Sequence, residues 1–292
     1  MENVRREIIR FGINETYNLY MYSIADHHKS CLSINTTESD STGTRLYAGG
    51  HVGIRFIRYL LNSASCNHIF DTVESLRVIE LGCGVGIVSL LSFLPRRYFL
   101  SDRISKIILT DGFSEVAKIA ELNYNTIKSE YSGIINDNIE VLTEKLQWGN
   151  KENIIQLIDS VNDGKNFDIV IGTDLMYYNV NVTELLDTVL ALILPDGIMI
   201  HAHHFRVDGT KRKVIDYFTA IGWNTLEISI EEFIESNELI NHPEWYKVNV
   251  CISACNDKIQ LLQTQHPNWR IFNSFDEEED DVNDKNFKFP EL

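Results

Sequence analysis

Seven residues, Glu80-Leu81-Gly82-Cys83-Gly84-Val85-Gly86, join the short β-branched run Leu76–Leu81 to the apolar stretch Ile87–Leu94. Strand, glycine turn and helix in that order put the turn at the carboxyl end of a strand, where open α/β sheets bind their ligands. A dinucleotide fingerprint needs glycine where this chain has Ile87, and no GxxxxGK[ST] phosphate loop occurs. Gly82 and Gly84 admit a ligand close to the backbone, while Glu80 brings negative charge to a place that pyrophosphate binders keep clear. A carboxylate there suits a cation. A second run, Ile107-Ile108-Leu109-Thr110, ends in Asp111, whose carboxylate can accept hydrogen bonds from both hydroxyls of a ribose. Together the two acids describe a nucleoside bearing positive charge. S-adenosylmethionine, with its adenosine, sulfonium and ammonium, finds a counterpart for each part, and Glu80, Gly82, Cys83, Gly84, Gly86 and Asp111 are expected to hold it.

Other residues invite chemistry at the same edge. Asp174 and Tyr177 follow a third buried run, Phe167–Gly172, and so emerge where the first two runs end. His201 and His203 of HAHHFR alternate onto one face of a strand. No acidic or cysteine partner stands at ligand spacing, so no metal is expected, and the pair reads as buried or as lining the pocket edge. The five cysteines, Cys31, Cys66, Cys83, Cys251 and Cys255, are odd in number and form no CxxC. They fit neither a disulfide framework nor a zinc knuckle and point to a reducing compartment, cytoplasmic or nuclear. Cys251 and Cys255, in VNVCISACN, read as small buried hydrophobes.

The elements that must position these groups repeat. Val52–Leu61 has helical spacing, as do Phe113–Ile127, Val182–Leu194 and Lys211–Ile221. Between them lie the strand runs Leu76–Leu81, Ile107–Asp111, Ile139–Leu142, Phe167–Gly172 and Gly197–His203. This βαβα series predicts a Rossmann-like α/β fold, a doubly wound, mostly parallel seven-stranded sheet with helices on both faces. Asn224–Ile230 and Tyr246–Ala254 lack a helical crossover and are expected to form an antiparallel pair at one edge. Residues 1–44 read as an N-terminal extension with a flexible loop in SINTTESDSTGT, 45–273 as the domain, and 274–292 as an acidic tail. The net charge is −16, from 26 basic and 42 acidic residues, which makes nucleic acid an unsuitable partner. Asp276–Asp284 alone carries seven of the acids. No apolar run nears the roughly 18 residues of a membrane span, and the amino-terminal residues have no signal-peptide pattern, so no membrane association is expected.

The motifs resemble those of the seven-strand S-adenosylmethionine-dependent methyltransferases, within them the methyltransferase-like branch that modifies protein lysines, over about residues 45–228. VIELGCGVGIVSLL is similar to that family's first motif and IILTDG to its ribose-binding strand. LQWG resembles the branch's LDWG, whose tryptophan lies beside the adenine, a place Trp148 would take. DIVIGTDLMYY resembles the fourth-strand motif with the branch's Asp-x-x-Tyr, met by Asp174-Leu175-Met176-Tyr177. The chain departs twice: Tyr47 in LYAGG stands for the tryptophan of a WxxA segment, and Gln147 for the aspartate of LDWG.

The resemblance implies a cofactor site that also includes Tyr47, Trp148 and Thr173, and catalytic roles for Asp174 and Tyr177, with Tyr178 sharing the ring role. It implies methylation of a lysine of a protein substrate; methyl transfer itself needs no metal, and a monomer is expected. Methylation of histidine, arginine or a small-molecule amine, and a non-catalytic scaffold on the same fold, stay open at this point.

Overall fold

The computed structural model describes residues 4–11, 15–22, 46–63, 68–70, 73–96, 101–177 and 180–272. The Ser- and Thr-rich segment before Leu46, Tyr178 and the acidic tail lie outside the described residues.

An amino-terminal antiparallel hairpin, β1 (Val4–Phe11) and β2 (Glu15–Tyr22), stands apart from the main sheet. The main sheet contains β3 (Leu76–Leu81), β4 (Ile104–Asp111), β5 (Glu140–Lys145), β6 (Phe167–Thr173), β7 (Ile193–His203), β8 (Trp223–Ile228), β9 (Asn249–Cys255) and β10 (Arg270–Ile271). Their order is β10-β8-β9-β7-β6-β3-β4-β5. The five strands from β3 to β7 pair in parallel. β9 runs antiparallel to both β7 and β8, so the expected antiparallel pair sits at that edge, with β9 on its inner side and two-residue β10 closing it.

The strands alternate between two cores, as a period of two requires. On β3, Val78 faces one and Ile79 and Leu81 the other; on β6, Ile169 and Ile171 face the first and Val170 the second. The first core is closed by α1 (Ala48–Asn62), α2 (Ile87–Phe93), α3 (Ser114–Glu130) and α8 (Asn256–Gln265), through residues such as Phe56, Leu90, Ile119 and Leu262. The second is closed by α4 (Lys151–Gln156), α5 (Val182–Leu192) and α6 (Thr210–Ala220), through Ile154, Leu186 and Phe218. Because β3 and β6 are covered on both faces, their middles, Val78-Ile79 and Ile169-Val170-Ile171, are apolar on both sides.

Helix α5 stops at Leu192 and β7 begins at Ile193, two residues before the helix end expected from the apolar pattern and four before the expected strand start. Pro195 explains it, since the residue before a proline is pushed to extended backbone. A short helix absent from the sequence reading, α7 (Ser236–Asn241), lies in the connection from β8 to β9. Ile228 pairs with Val250 and His203 with Asn249, so that connection sits at the carboxyl edge of β7. Its Trp245 ring stacks on His242 at 4.2 Å and lies beneath the Arg55 guanidinium of α1 at 4.4 Å, and Arg55 pairs with Glu238. The connection is thereby fastened to α1.

Candidate active site

The glycine turn follows β3 in the expected place. Gly82, Gly84 and Gly86 all take positive φ, at 55°, 54° and 74°, a conformation costing an L-residue about 1–2 kcal/mol. Space enforces glycine as well at two of them. A Cβ on Gly82 would fall 2.6 Å from Leu175 Cδ2 and 3.2 Å from Trp148 Cζ2, and one on Gly86 would fall 2.7 Å from Ala120 Cβ of α3. Gly82, Trp148 from the loop after β5, and Leu175 from the Asp-x-x-Tyr segment therefore converge on one point, although 93 residues separate the first from the last. The Cys83 N–H donates to the Thr110 carbonyl at 2.8 Å, pinning the turn to the end of β4.

Asp111 closes β4 with 8% of its surface exposed. Its Oδ2 accepts the Gly84 N–H at 3.1 Å and its Oδ1 the Phe113 N–H at 3.0 Å. These two amides fix the plane of the carboxylate beside the turn.

Glu80 is placed differently from a group that meets a ligand directly. It is 1% exposed, and its Oε2 accepts the Ser89 N–H of α2 at 3.0 Å. Burial pushes its carboxyl up to about 7, with the nearby Asp111 charge adding to the shift and the Ser89 bonding opposing it. Glu80 braces the turn from behind.

Trp148 is partly buried against the second core. Gly149 behind it has positive φ, and its N–H donates to Thr188 Oγ1 of α5 at 2.9 Å, which sets the ring's position over Gly82. Tyr47 is the N-cap of α1. Thr173, the last residue of β6, lies against the same helix: its Cγ2 is 2.9 Å from where a Cβ on Gly53 would stand.

Asp174 takes left-handed backbone, φ 52°, at the end of β6. Its N–H donates to the Ala202 carbonyl at 2.9 Å, and the next amide, Leu175 N–H, donates to His203 Nδ1 at 3.2 Å. Its Oδ2 accepts the Gly49 N–H of α1 at 2.6 Å and its Oδ1 the His204 N–H at 3.4 Å. Burial raises its pKa, opposed by these two amides and by the charges of Arg206 and His204. Gly49 must be small, since a Cβ would lie 2.6 Å from the Ala202 carbonyl oxygen and 2.7 Å from Asp174 Cγ. Tyr177 follows three residues on and is partly buried.

The two histidines of β7 are fully buried on the face that carries Met199, with His201 beside Phe218 and His203 beside Phe205. Of the two expected settings, burial is the one found. His201 Nε2 meets Ser253 Oγ at 3.1 Å, burial depresses both imidazoles, and His201 is lowered to about 3. Among the described residues no three His, Cys, Asp or Glu side chains gather as a metal would require, and no described helix is long and apolar enough to cross a membrane. Cys251 is buried and Cys255 partly buried, both as free thiols.

Sequence reasoning missed the supports: Ser89 under Glu80, Gly49 under Asp174, and Ala202-His203-His204 behind the Asp-x-x-Tyr segment. The spacing of Gly49, Gly50 and Gly53 in one helix was the available signal, because glycine inside a helix weakens it unless something packs closely there.

No curated protein sequence matches the chain. Among solved structures, the chain is similar to a candidate S-adenosylmethionine-dependent methyltransferase from Streptococcus mutans, at 11% identity over 86% of this chain and 56% of that one, TM-score 0.46. It is similar to magnesium protoporphyrin IX methyltransferase from Synechocystis with bound S-adenosylhomocysteine, at 10% identity over 80% and 94%, TM-score 0.45. It is also similar to a ribosomal protein L11 methylase from Lactobacillus delbrueckii, at 16% identity over 71% and 78%, TM-score 0.39. The lysine methyltransferase family profile matches residues 26–221, two thirds of the sequence. The match covers more than half of the chain, so the chain is an S-adenosylmethionine-dependent methyltransferase and belongs to the lysine methyltransferase family.

Proposed function

We propose that the protein methylates the side-chain amine of a lysine in a protein substrate. The observation that carries this reading is the placement of Asp174. Its carboxylate stands at the carboxyl end of β6, one residue before Leu175, which packs over Gly82. A carboxylate held by two amides at that place attracts and orients an ammonium group.

When bound, S-adenosylmethionine supplies a methyl group already activated by positive sulfur. The turn glycines, Cys83, Asp111 and Trp148 would hold it, with Tyr47 and Thr173 on the α1 side and Glu80 behind the turn acting through its charge. The protein's remaining task is to align a neutral nucleophile and exclude water. A lysine amine has pKa about 10.4 in water, and desolvation in the pocket together with the neighbouring sulfonium charge favours loss of its proton to solvent before attack. Asp174 receives the ammonium, and Tyr177 provides a ring and hydroxyl to orient the chain that carries it. The free thiols Cys83, Cys251 and Cys255 agree with a cytoplasmic or nuclear setting, and we assign the protein to act as a monomer there.

The test is incubation with isotopically labelled S-adenosylmethionine and an extract of cells lacking the protein, followed by mass spectrometry of the labelled band. Methyl-lysine is the expected product. Label on histidine, arginine or a small amine would overturn the lysine assignment, and absence of cofactor binding by calorimetry would make the chain a scaffold.

A further inference from the structure

Asn123, on α3, is fully buried and is not among the residues assigned to the site. Its side chain joins two segments across the helix. Oδ1 accepts the Tyr20 N–H of β2 at 2.6 Å, and Nδ2 donates to the Tyr20 carbonyl at 3.0 Å and to the Val85 carbonyl at 2.9 Å. Val85 lies inside the cofactor turn, between Gly84 and Gly86, both at positive φ.

The hairpin is laid on α3 along the edge of β2. The Asn18 N–H donates to Tyr131 Oη at 3.0 Å, the Arg6 guanidinium reaches the Asn18 carbonyl at 2.6 Å and Glu130 at 2.5 Å, and the rings of Tyr17 and Tyr131 meet at 5.0 Å. Ile9, Tyr17 and Leu19 are buried in the same contact. Asn123 of α3, its C-cap Tyr131 and Arg6 of β1 thus take the edge groups of Asn18 and Tyr20 as a neighbouring strand would.

One amide group serving both segments makes them interdependent. If the hairpin left α3, Asn123 Oδ1 and one of its N–H donors would exchange their partners for water, a net cost of about 0.5–1.5 kcal/mol per hydrogen bond. Rotating the amide to recover them would release the Val85 carbonyl and with it the backbone between the two left-handed glycines. We propose that Asn123 is a positioning residue for the cofactor turn and that, through it, the amino-terminal hairpin sets the affinity for S-adenosylmethionine. Linkage is reciprocal, so the bound cofactor in turn holds the hairpin down. This inference rests on the cofactor assignment and does not depend on which amine is methylated.

The experiment uses the full chain with S-adenosylhomocysteine as probe, reading its Kd by calorimetry and amide hydrogen exchange over residues 15–22. In the wild type, the ligand slows exchange across β2. Tyr17→Ala, at the hairpin contact, speeds that exchange and raises Kd on the order of tenfold, a shift equivalent to losing one buried hydrogen bond. Asn123→Asp, which keeps the shape but loses the Nδ2 donors, raises Kd similarly, and the double variant is no weaker than the poorer single one because both act through one connection. A hairpin loosened by Tyr17→Ala with unchanged Kd overturns the inference. So does wild-type hairpin exchange that ignores saturating ligand, a measurement needing no variant to fold. A wild type that does not bind the ligand at all would instead refute the cofactor assignment.

Discussion

Glu80→Gln tests the electrostatics of the cofactor site most directly. The buried Glu80 carboxyl is pushed up to about 7 from an ordinary 4.5, which at roughly 1.4 kcal/mol per pH unit makes its ionisation in the fold cost about 3 kcal/mol. Since the folded value lies above the unfolded one, the stabilising contribution of the neutral acid is complete below about pH 4.5. It is lost as pH rises to about 7, and above that the penalty is constant. Glutamine keeps an acceptor for the Ser89 N–H and cannot ionise. The unliganded variant should therefore match the wild type near pH 4.5 and exceed it at pH 8 by up to about 3 kcal/mol, several degrees in Tm at about 2–4 °C per kcal/mol. Cofactor binding should run the other way. A cation in the turn favours ionised Glu80, so wild-type Kd for S-adenosylmethionine tightens between pH 6 and pH 8 with proton release, measured by calorimetry in buffers of different ionisation enthalpy. The ligand's own amine titrates nearby, at about 7.7–8.0, and the difference between wild type and Glu80→Gln removes that contribution. Equal Tm values at pH 8, or identical pH profiles of Kd for the two proteins, would refute the reasoning.

Asp174→Asn keeps an oxygen for the Gly49 amide but loses the charge, so turnover with a methyl-accepting substrate should fall by about a hundredfold or more while cofactor Kd changes little. Asp174→Ala should be equally inactive and also lower stability by about 1 kcal/mol through the lost contact with α1, and normal turnover at saturation with a weakened Kd would contradict the assignment. Gly82→Ala puts a methyl 2.6 Å from Leu175 Cδ2 at φ 55°, so calorimetry should show cofactor binding abolished; near-native affinity would mean the turn does not hold the ligand. His203→Leu deprives the Leu175 N–H of its acceptor, and hydrogen exchange at Leu175 should accelerate with a loss of turnover that His203→Asn, which restores an oxygen, largely recovers. Equal turnover in the leucine and asparagine variants would remove His203 from any positioning role.

The sequence alone determined the alternation of strand and helix, the turn at Gly82–Gly86, the acid that ends β4 and the segment Asp174–Tyr177. Each is written locally: apolar periodicity reports burial, glycine reports backbone that other residues resist, and a carboxylate at a strand end reports its position through the chain direction of a parallel sheet. Even the misplaced start of β7 was legible in Pro195. What only the tertiary structure decided was which neighbour each polar group would meet. Glu80 and Asp111 read alike as strand-end acids, yet packing of α2 buries the first under Ser89 and leaves the second at the rim. Asp174 received its partner from Gly49, 125 residues away, and Val85 received its partner from α3 and thereby from the hairpin. Such pairings follow from helices laid across a twisted sheet, whose contacts are long-range, so no local spacing encodes them.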